Sequence, residues 1–340
     1  MKRAKVSMQY IADQLGISKN SVSLALNGRP GVSEETREQV MQLAGRLGYT
    51  LPGGRTGEKH NILVLIPEYI RDDRYFYNDI YWEIDNCSAR SGLSAIMSVV
   101  TARMEQQKEL PPVCNELSFS GVLTIGILSS DYMGFLEKKF SAIVSVDHCC
   151  YGRQIPCVVT ANINGSYTLT REVIRRGHKK IGFVGPVSTT DSVFERWCGF
   201  QLAMNEEGLA CDRYNIKNES PLGILLSDAG EMKEILREMK ELPTAFVCGG
   251  DRIAIACINA LTALGLRVPE DISVVGFDDI EISQFIVPRL TTMHIRRHHM
   301  ARAAVAELTR LIHRQNCSQK TCLYAEFVER ESLGDCAENR

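Results

Sequence analysis

Apolar positions follow two different rhythms along this chain, and the change comes near residue 60. In the first fifty residues they recur at helical spacing. Ile11, Ala12 and Leu15 share a face between Ser7, a good N-cap, and Gly16, a good stop. Val22, Ala25 and Leu26 follow Ser18 and end at Asn27-Gly28. Val40, Leu43, Ala44 and Leu47 follow Ser33, with Glu34 and Glu35 favouring the dipole of a first turn and Gly48 closing the segment. Three short helices are expected, the first two joined by a tight Gly-Ile-Ser turn, which is the helix-turn-helix arrangement.

Beyond residue 60 the apolar residues gather into short unbroken runs. "NILVLIP", "SAIMSVV", "SGVLTIG" and "SAIVSVD" are separated by amphipathic stretches, one around Ile80, Ile84 and Cys87 and a short one near Phe135. The series restarts with "CVVTA", a helix to Gly177, "KKIGFVG", a helix from Ser192 to Gly208, a helix around Met232–Met239, "TAFVCG", a helix to Gly265 and "ISVVGFDD". Continuous apolar strands separated by helices predict a parallel sheet covered on both faces, and two such series predict two similar lobes. The final "RLTTMHI", a helix over 299–313 and "CLYAEFVER" are expected to complete those lobes.

Charge sharpens the division. The chain has 340 residues and a net charge of −2, but residues 1–60 carry +4 and the rest −6. A small basic head on an acidic body suggests that the head meets a polyanion. No apolar run is long enough for a membrane span, and no apolar h-region follows the basic start, so a cytoplasmic protein with no membrane partner is expected. Twelve scattered cysteines without a CxxC suit reduced thiols rather than a disulfide or zinc framework, so neither metal nor cofactor is expected. There is no GxGxxG after a strand, no GxxxxGK[ST], no GxSxG and no HExxH, and no enzyme is expected.

The outer face of the second helix carries Lys19, Asn20, Ser21, Ser23 and Leu24. Lys donates to guanine, Asn pairs with adenine, Ser meets phosphate or base, and Leu24 can touch a thymine methyl. A three-helix protein-binding module with a solvated polar face remains the alternative at this point. In the body, ligands of open α/β sheets sit beyond the carboxyl ends of strands. That places Glu68 and Tyr69, Asp147 and His148, Asn162 and Asp278 as candidates, with His148 read as a satisfied loop residue.

The stretch "VSMQYIADQLGISKNSVSLALNGRPGVSEETREQVMQLAGRLGY" resembles the DNA-binding headpiece of the lac/gal repressor (LacI) family. "RRGHKKIGFVG", "LRVPEDISVVGFDD" and "PRLTTM" resemble runs of that family's periplasmic-binding-protein-like effector domain. The resemblance implies a small all-α helix-turn-helix headpiece (residues 1–50) joined to an α/β two-lobed effector domain. It places Lys19, Asn20 and Leu24 where the family reads bases, and Ser7, Ser18, Ser21, Asn27, Ser33 and Thr36 at the cap and phosphate positions. It adds Arg196, Phe76, Tyr77 and Asp251 to the effector candidates Glu68, Tyr69, Asp147, Asn162 and Asp278. The implied function is a repressor whose binding to double-stranded operator DNA is controlled by a small molecule, a sugar or sugar derivative, held between the lobes. The alternative is control by a protein co-regulator.

The expected effector and dimerisation domain spans 62–330. One lobe takes about 62–160 and 292–322, the other about 161–291 and 323–330, and a tail covers 331–340. A homodimer is expected because one headpiece buries only ~600–1,000 Å² on DNA. Residues 51–61 depart from the family: "LPGGRTGEKHN" is short, and each of its three glycines disfavours a helix by about 1 kcal/mol relative to alanine, so a flexible linker without a hinge helix is expected. Ala161 and Gly249-Gly250-Asp251 also depart, removing polar side chains that would hold a sugar.

Overall fold

The computed structural model describes residues 7–26, 31–47, 60–71, 73, 75–216 and 228–336, in two compact units divided between Lys59 and His60. Asn27 and residues 51–59, with the question of a hinge helix, lie outside the described residues.

The first unit holds helices α1 (Met8–Leu15), α2 (Lys19–Leu26) and α3 (Glu34–Leu47). Each begins on a serine. Ser7, Ser18 and Ser33 accept from the backbone N–H three residues on, at 3.2, 2.9 and 3.1 Å. Gly16 closes α1 at φ 64°, a left-handed turn that costs glycine nothing. Ile11, Ala12, Val22, Ala25, Val40 and Ala44 form the buried core. Arg37 of α3 donates to the carbonyl of Ala25 at 3.2 Å, tying down the last turn of α2.

In the second unit, β1 runs His60–Pro67, so His60 and Asn61 are strand rather than linker. Their backbones pair with β2 (Leu93–Val100), which fixes them in the sheet. With β3 (Phe119–Ile125), β4 (Ile143–Val146), β5 (Cys157–Thr160) and β10 (Lys320–Leu323) they form an all-parallel sheet of order β10-β5-β4-β3-β1-β2. This is lobe one. Helices α4 (Tyr77–Arg90), α5 (Ala102–Gln107), α6 (Ser130–Lys139) and α11 (Arg297–Ile312) belong to it. Lobe two has the parallel strands β6 (Ile181–Val184), β7 (Ala245–Cys248) and β8 (Ser273–Val275), with β9 (Thr292–His294) pairing antiparallel to β11 (Glu326–Val328). Its helices are α7 (Asn162–Arg175), α8 (Asp191–Glu206), α9 (Ala229–Glu238) and α10 (Asp251–Ala263).

The central strands β4, β5, β6, β7 and β8 are buried on both faces, as their unbroken apolar runs require, whereas β2, β10 and β11 are partly exposed. Helices α7 and α8 approach so closely that a Cβ at Gly199 would lie 2.2 Å from the Ile163 carbonyl oxygen. The chain passes between lobes after β5, after β9 and after β10. Residues 331–336 are not a free tail. Ser332, Leu333 and Cys336 are buried, and the Ser332 hydroxyl donates to the Val274 carbonyl at 2.6 Å.

Candidate functional sites

On the first unit, Lys19 and Asn20 stand exposed at the start of α2, while Ser21 and Leu24 are half-buried. The Ser21 hydroxyl shares a 2.9 Å hydrogen bond with that of Ser18, and Thr36 shares one of 2.7 Å with Ser33. Capping therefore fixes these hydroxyls at helix N-termini, where backbone N–H groups and the dipole favour an anion.

On the second unit, a cavity of about 610 Å³ opens between the lobes. Tyr69, Phe76, Tyr77 and Asp147 line it from lobe one, and Arg196 and Asp278 from lobe two. Most follow strand ends: Tyr69 after β1, Asp147 after β4, Asp278 after β8. Asp147 and Asp278 have φ of 61° and 115°, left-handed conformations that neighbouring structure must hold in place.

Lobe two's wall is a closed network. Arg196 is buried at 5 % exposure. Its Nε donates to Asn162 Oδ1 at 3.0 Å, its Nη1 to the Gly249 carbonyl at 2.6 Å, and its Nη2 pairs with Asp278 Oδ1 at 3.0 Å. Its guanidinium lies 3.9 Å from the centre of the Phe277 ring. Burial raises the Asp278 carboxyl above its ordinary range, and Arg196 and Arg297 oppose that rise.

Lobe one's wall is open. Tyr77 donates to Asp147 Oδ2 at 3.1 Å, and no cationic side chain among the described residues forms an ion pair with that carboxylate. Burial pushes Asp147 up to about 6, against the attraction of Arg196. Burial likewise drives the Tyr77 phenol well up, and Asp147 adds to the effect. His148 Nδ1 lies 2.9 Å from Asp191 Oδ2; burial pulls the imidazole down, but Asp191 and Cys150 together outweigh it and raise it to about 9.

Three expected residues do not line this cavity. Glu68 lies exposed on a 3-10 turn (Glu68–Ile70) that directs it to solvent. Asn162 is buried behind the wall, where its amide bridges Glu195 at 2.9 Å and Arg196. Asp251 is fully buried; it accepts from the Ile280 N–H at 2.9 Å and the Thr292 hydroxyl at 2.5 Å, and burial raises it well above its ordinary range. The sequence reading missed Asp73, Tyr75, Ser192 and Arg252, which do line the cavity. Gly249 and Gly250 leave room for the network: a Cβ at Gly250 would lie 3.2 Å from Asp278 Oδ2.

Among the described residues, no group of His, Cys, Asp or Glu could hold a metal ion, and no helix is long and apolar enough to cross a membrane. All twelve cysteines are free.

A helical head carrying exposed Lys and Asn, joined to two lobes around a polar cleft, defines a DNA-binding protein with a ligand-binding domain. Comparison with known proteins gives the family. Residues 7–51 match "Bacterial regulatory proteins, lacI family", and residues 170–333 match "Periplasmic binding protein-like domain". The chain is 27% identical to the HTH-type transcriptional regulator RegA of Clostridium saccharobutylicum, over 96% of this chain and 98% of RegA. It is 25% identical to the HTH-type transcriptional repressor PurR of Vibrio atlanticus, over 96% and 98%. Among solved structures, the cellobiose complex of the regulator CelR superposes with a TM-score of 0.70 at 21% identity, covering 96% of this chain and 99% of that one. The lac repressor dimer bound to operator gives 0.68 at 22%, covering 97% and 100%. The chain therefore carries a lacI-family DNA-binding domain and a periplasmic-binding-protein-like domain, the make-up of a DNA-binding transcriptional repressor with a ligand-binding domain.

Proposed function

We propose that this repressor binds a pseudo-palindromic operator as a homodimer, and that a sugar-like molecule in the interlobe cleft sets its operator affinity. The observation that carries the reading is a cavity of about 610 Å³ walled by both lobes, whose occupant therefore fixes the angle between them. Lys19 and Asn20 supply base contacts and the capped N-termini of the head helices meet phosphates. Carboxylates and aromatic rings facing one cavity suit hydroxyls and the apolar face of a sugar ring. A bound ribose in a lacI-family regulator of Enterococcus faecium and the cellobiose of CelR agree with that class.

The dimer rests on an exposed apolar segment of lobe two, where Phe285 and Val287 are 74% and 90% exposed. Such residues side by side suit a partner surface better than water. Operator selection from a random DNA pool, followed by anisotropy titration, tests the first part. Asn20→Ala is expected to weaken binding by about 1–3 kcal/mol and to relax the preference at one base pair. Unchanged affinity and sequence preference would contradict it. Val287→Asp is expected to give a monomer in sedimentation with far weaker operator binding. A dimer that persists would move the interface elsewhere.

A further inference from the structure

The charges in the cleft are unequally matched, and the imbalance bears on the ligand. Three carboxylates line the cavity. Asp73 is occupied at the start of α4, where its Oδ1 accepts from the N–H groups of Tyr75, Phe76 and Tyr77 at 3.1, 2.8 and 3.3 Å. Asp278 is paired with Arg196. Asp147 has the neutral hydroxyl of Tyr77 and no ion-pair partner among the described residues.

The described cations that line or flank the cavity are already engaged. Arg196 spends its donors on Asn162, Gly249 and Asp278. Arg297 pairs with Asp79 at 3.2 Å and donates to the Asp278 carbonyl at 3.0 Å. His148 is held by Asp191. Arg252 stands at the rim, its side chain 62% exposed, 3.9 Å from Asp73. Among the described residues, an anionic ligand finds no free cation in the depth of the cavity. A cation finds Asp147, and beside it the aromatic rings of Tyr69, Tyr75, Phe76 and Tyr77. Phe76 and Tyr77 meet edge to face with centroids 5.0 Å apart. Aromatic rings around a carboxylate are the surroundings in which ammonium groups are recognised, because ring faces and carboxylate both present negative potential.

We propose that the effector is a small polyhydroxylated monocation of the amino-sugar class, its ammonium group seated against Asp147 and the lobe-one aromatic rings. The proposal rests on the reading of the cleft as the effector site. It adds that the site discriminates by charge: cation first, neutral sugar next, phosphorylated sugar last.

Calorimetry with the full chain tests this with charge-matched probes. D-glucosamine is compared with D-glucose and a glucose phosphate, and choline with its uncharged neohexyl alcohol isostere. The cation of each set is expected to bind at least about tenfold tighter than its neutral counterpart. Asp147→Asn is expected to erase that preference, and asparagine tolerates the left-handed backbone there. Glu68→Ala, which changes an exposed carboxylate off both walls, is expected to retain the preference and serves as the control. Neutral or phosphorylated probes binding as tightly as the cations would overturn the proposal and leave the cleft as a ligand site. A preference that survives Asp147→Asn would overturn it too. If no probe binds the wild type, both the proposal and the reading of the cleft fail.

Discussion

The two walls of the cleft are built from similar residues and behave differently. On lobe two, Arg196 and Asp278 are locked to each other, to Asn162 and to a backbone carbonyl, so that wall presents a finished surface. On lobe one, Asp147 and its aromatic neighbours present a carboxylate with one neutral partner. A finished wall orients a ligand without gaining a new ionic partner. An unfinished wall gains its missing partner when the ligand arrives, and that gain is what can draw the lobes together. If the cleft holds the effector as proposed, lobe two is the platform and lobe one the sensor.

The platform breaks most severely. Arg196→Met strips Asp278, Asn162 and the Gly249 carbonyl of their donor at once. Loss of one partner of a buried pair costs about 3–5 kcal/mol, so the unfolding free energy from urea denaturation should fall by about that amount, with a correspondingly lower midpoint. A near-normal midpoint would mean that the network is not the support it appears geometrically. Asn162→Ala is next. It lies outside the cavity, yet it leaves Arg196 Nε and a Glu195 oxygen unpaired, at about 1–3 kcal/mol. Ligand affinity measured by calorimetry should fall with it; unchanged affinity would show that Arg196 holds its place unaided.

The sensor should answer to pH. Asp147 lies at about 6, raised chiefly by burial, with Asp278 raising it and Arg196, Tyr77 and His148 lowering it. A cation attracts only the ionised form. Choline affinity should therefore hold steady above pH 6 and weaken below it, approaching about tenfold per unit. The uncharged isostere should show no such decline; parallel profiles for both would remove Asp147 from the site. The smallest effect belongs to Glu68→Ala, which changes an exposed side chain off both walls. Ligand affinity and stability should each move by less than about 0.5 kcal/mol.

The same contrast shows why the sequence was readable in some places and not in others. The head helices declare themselves locally: a serine cap, an apolar stripe and a glycine stop all lie within one turn of the element they define, and Ser7, Ser18 and Ser33 all cap. The central lobe strands declare themselves by burial on both faces. Strand ends then locate Tyr69, Asp147 and Asp278 near the cleft. They do not say which way a side chain turns. Asn162 and Asp251 also follow strands, but each opens a helix, and each points back into the protein to bridge neighbours that are distant in sequence. Arg252 was within reach of the same rule, one residue beyond Asp251, and Ser192 lies in the first turn of α8. Asp73 and Tyr75 sit in a loop without regular spacing, so no period marks them.

The most direct test of the contrast is a carbon-detected NMR titration of the aspartate carboxyls, with the Asp147 signal assigned by its loss in Asp147→Asn. The unpaired carboxylate of lobe one should titrate near 6 in the ligand-free protein and move lower when choline binds. An Asp147 that titrates in the ordinary range near 4, or that does not respond to choline, would show that lobe one is as finished as lobe two.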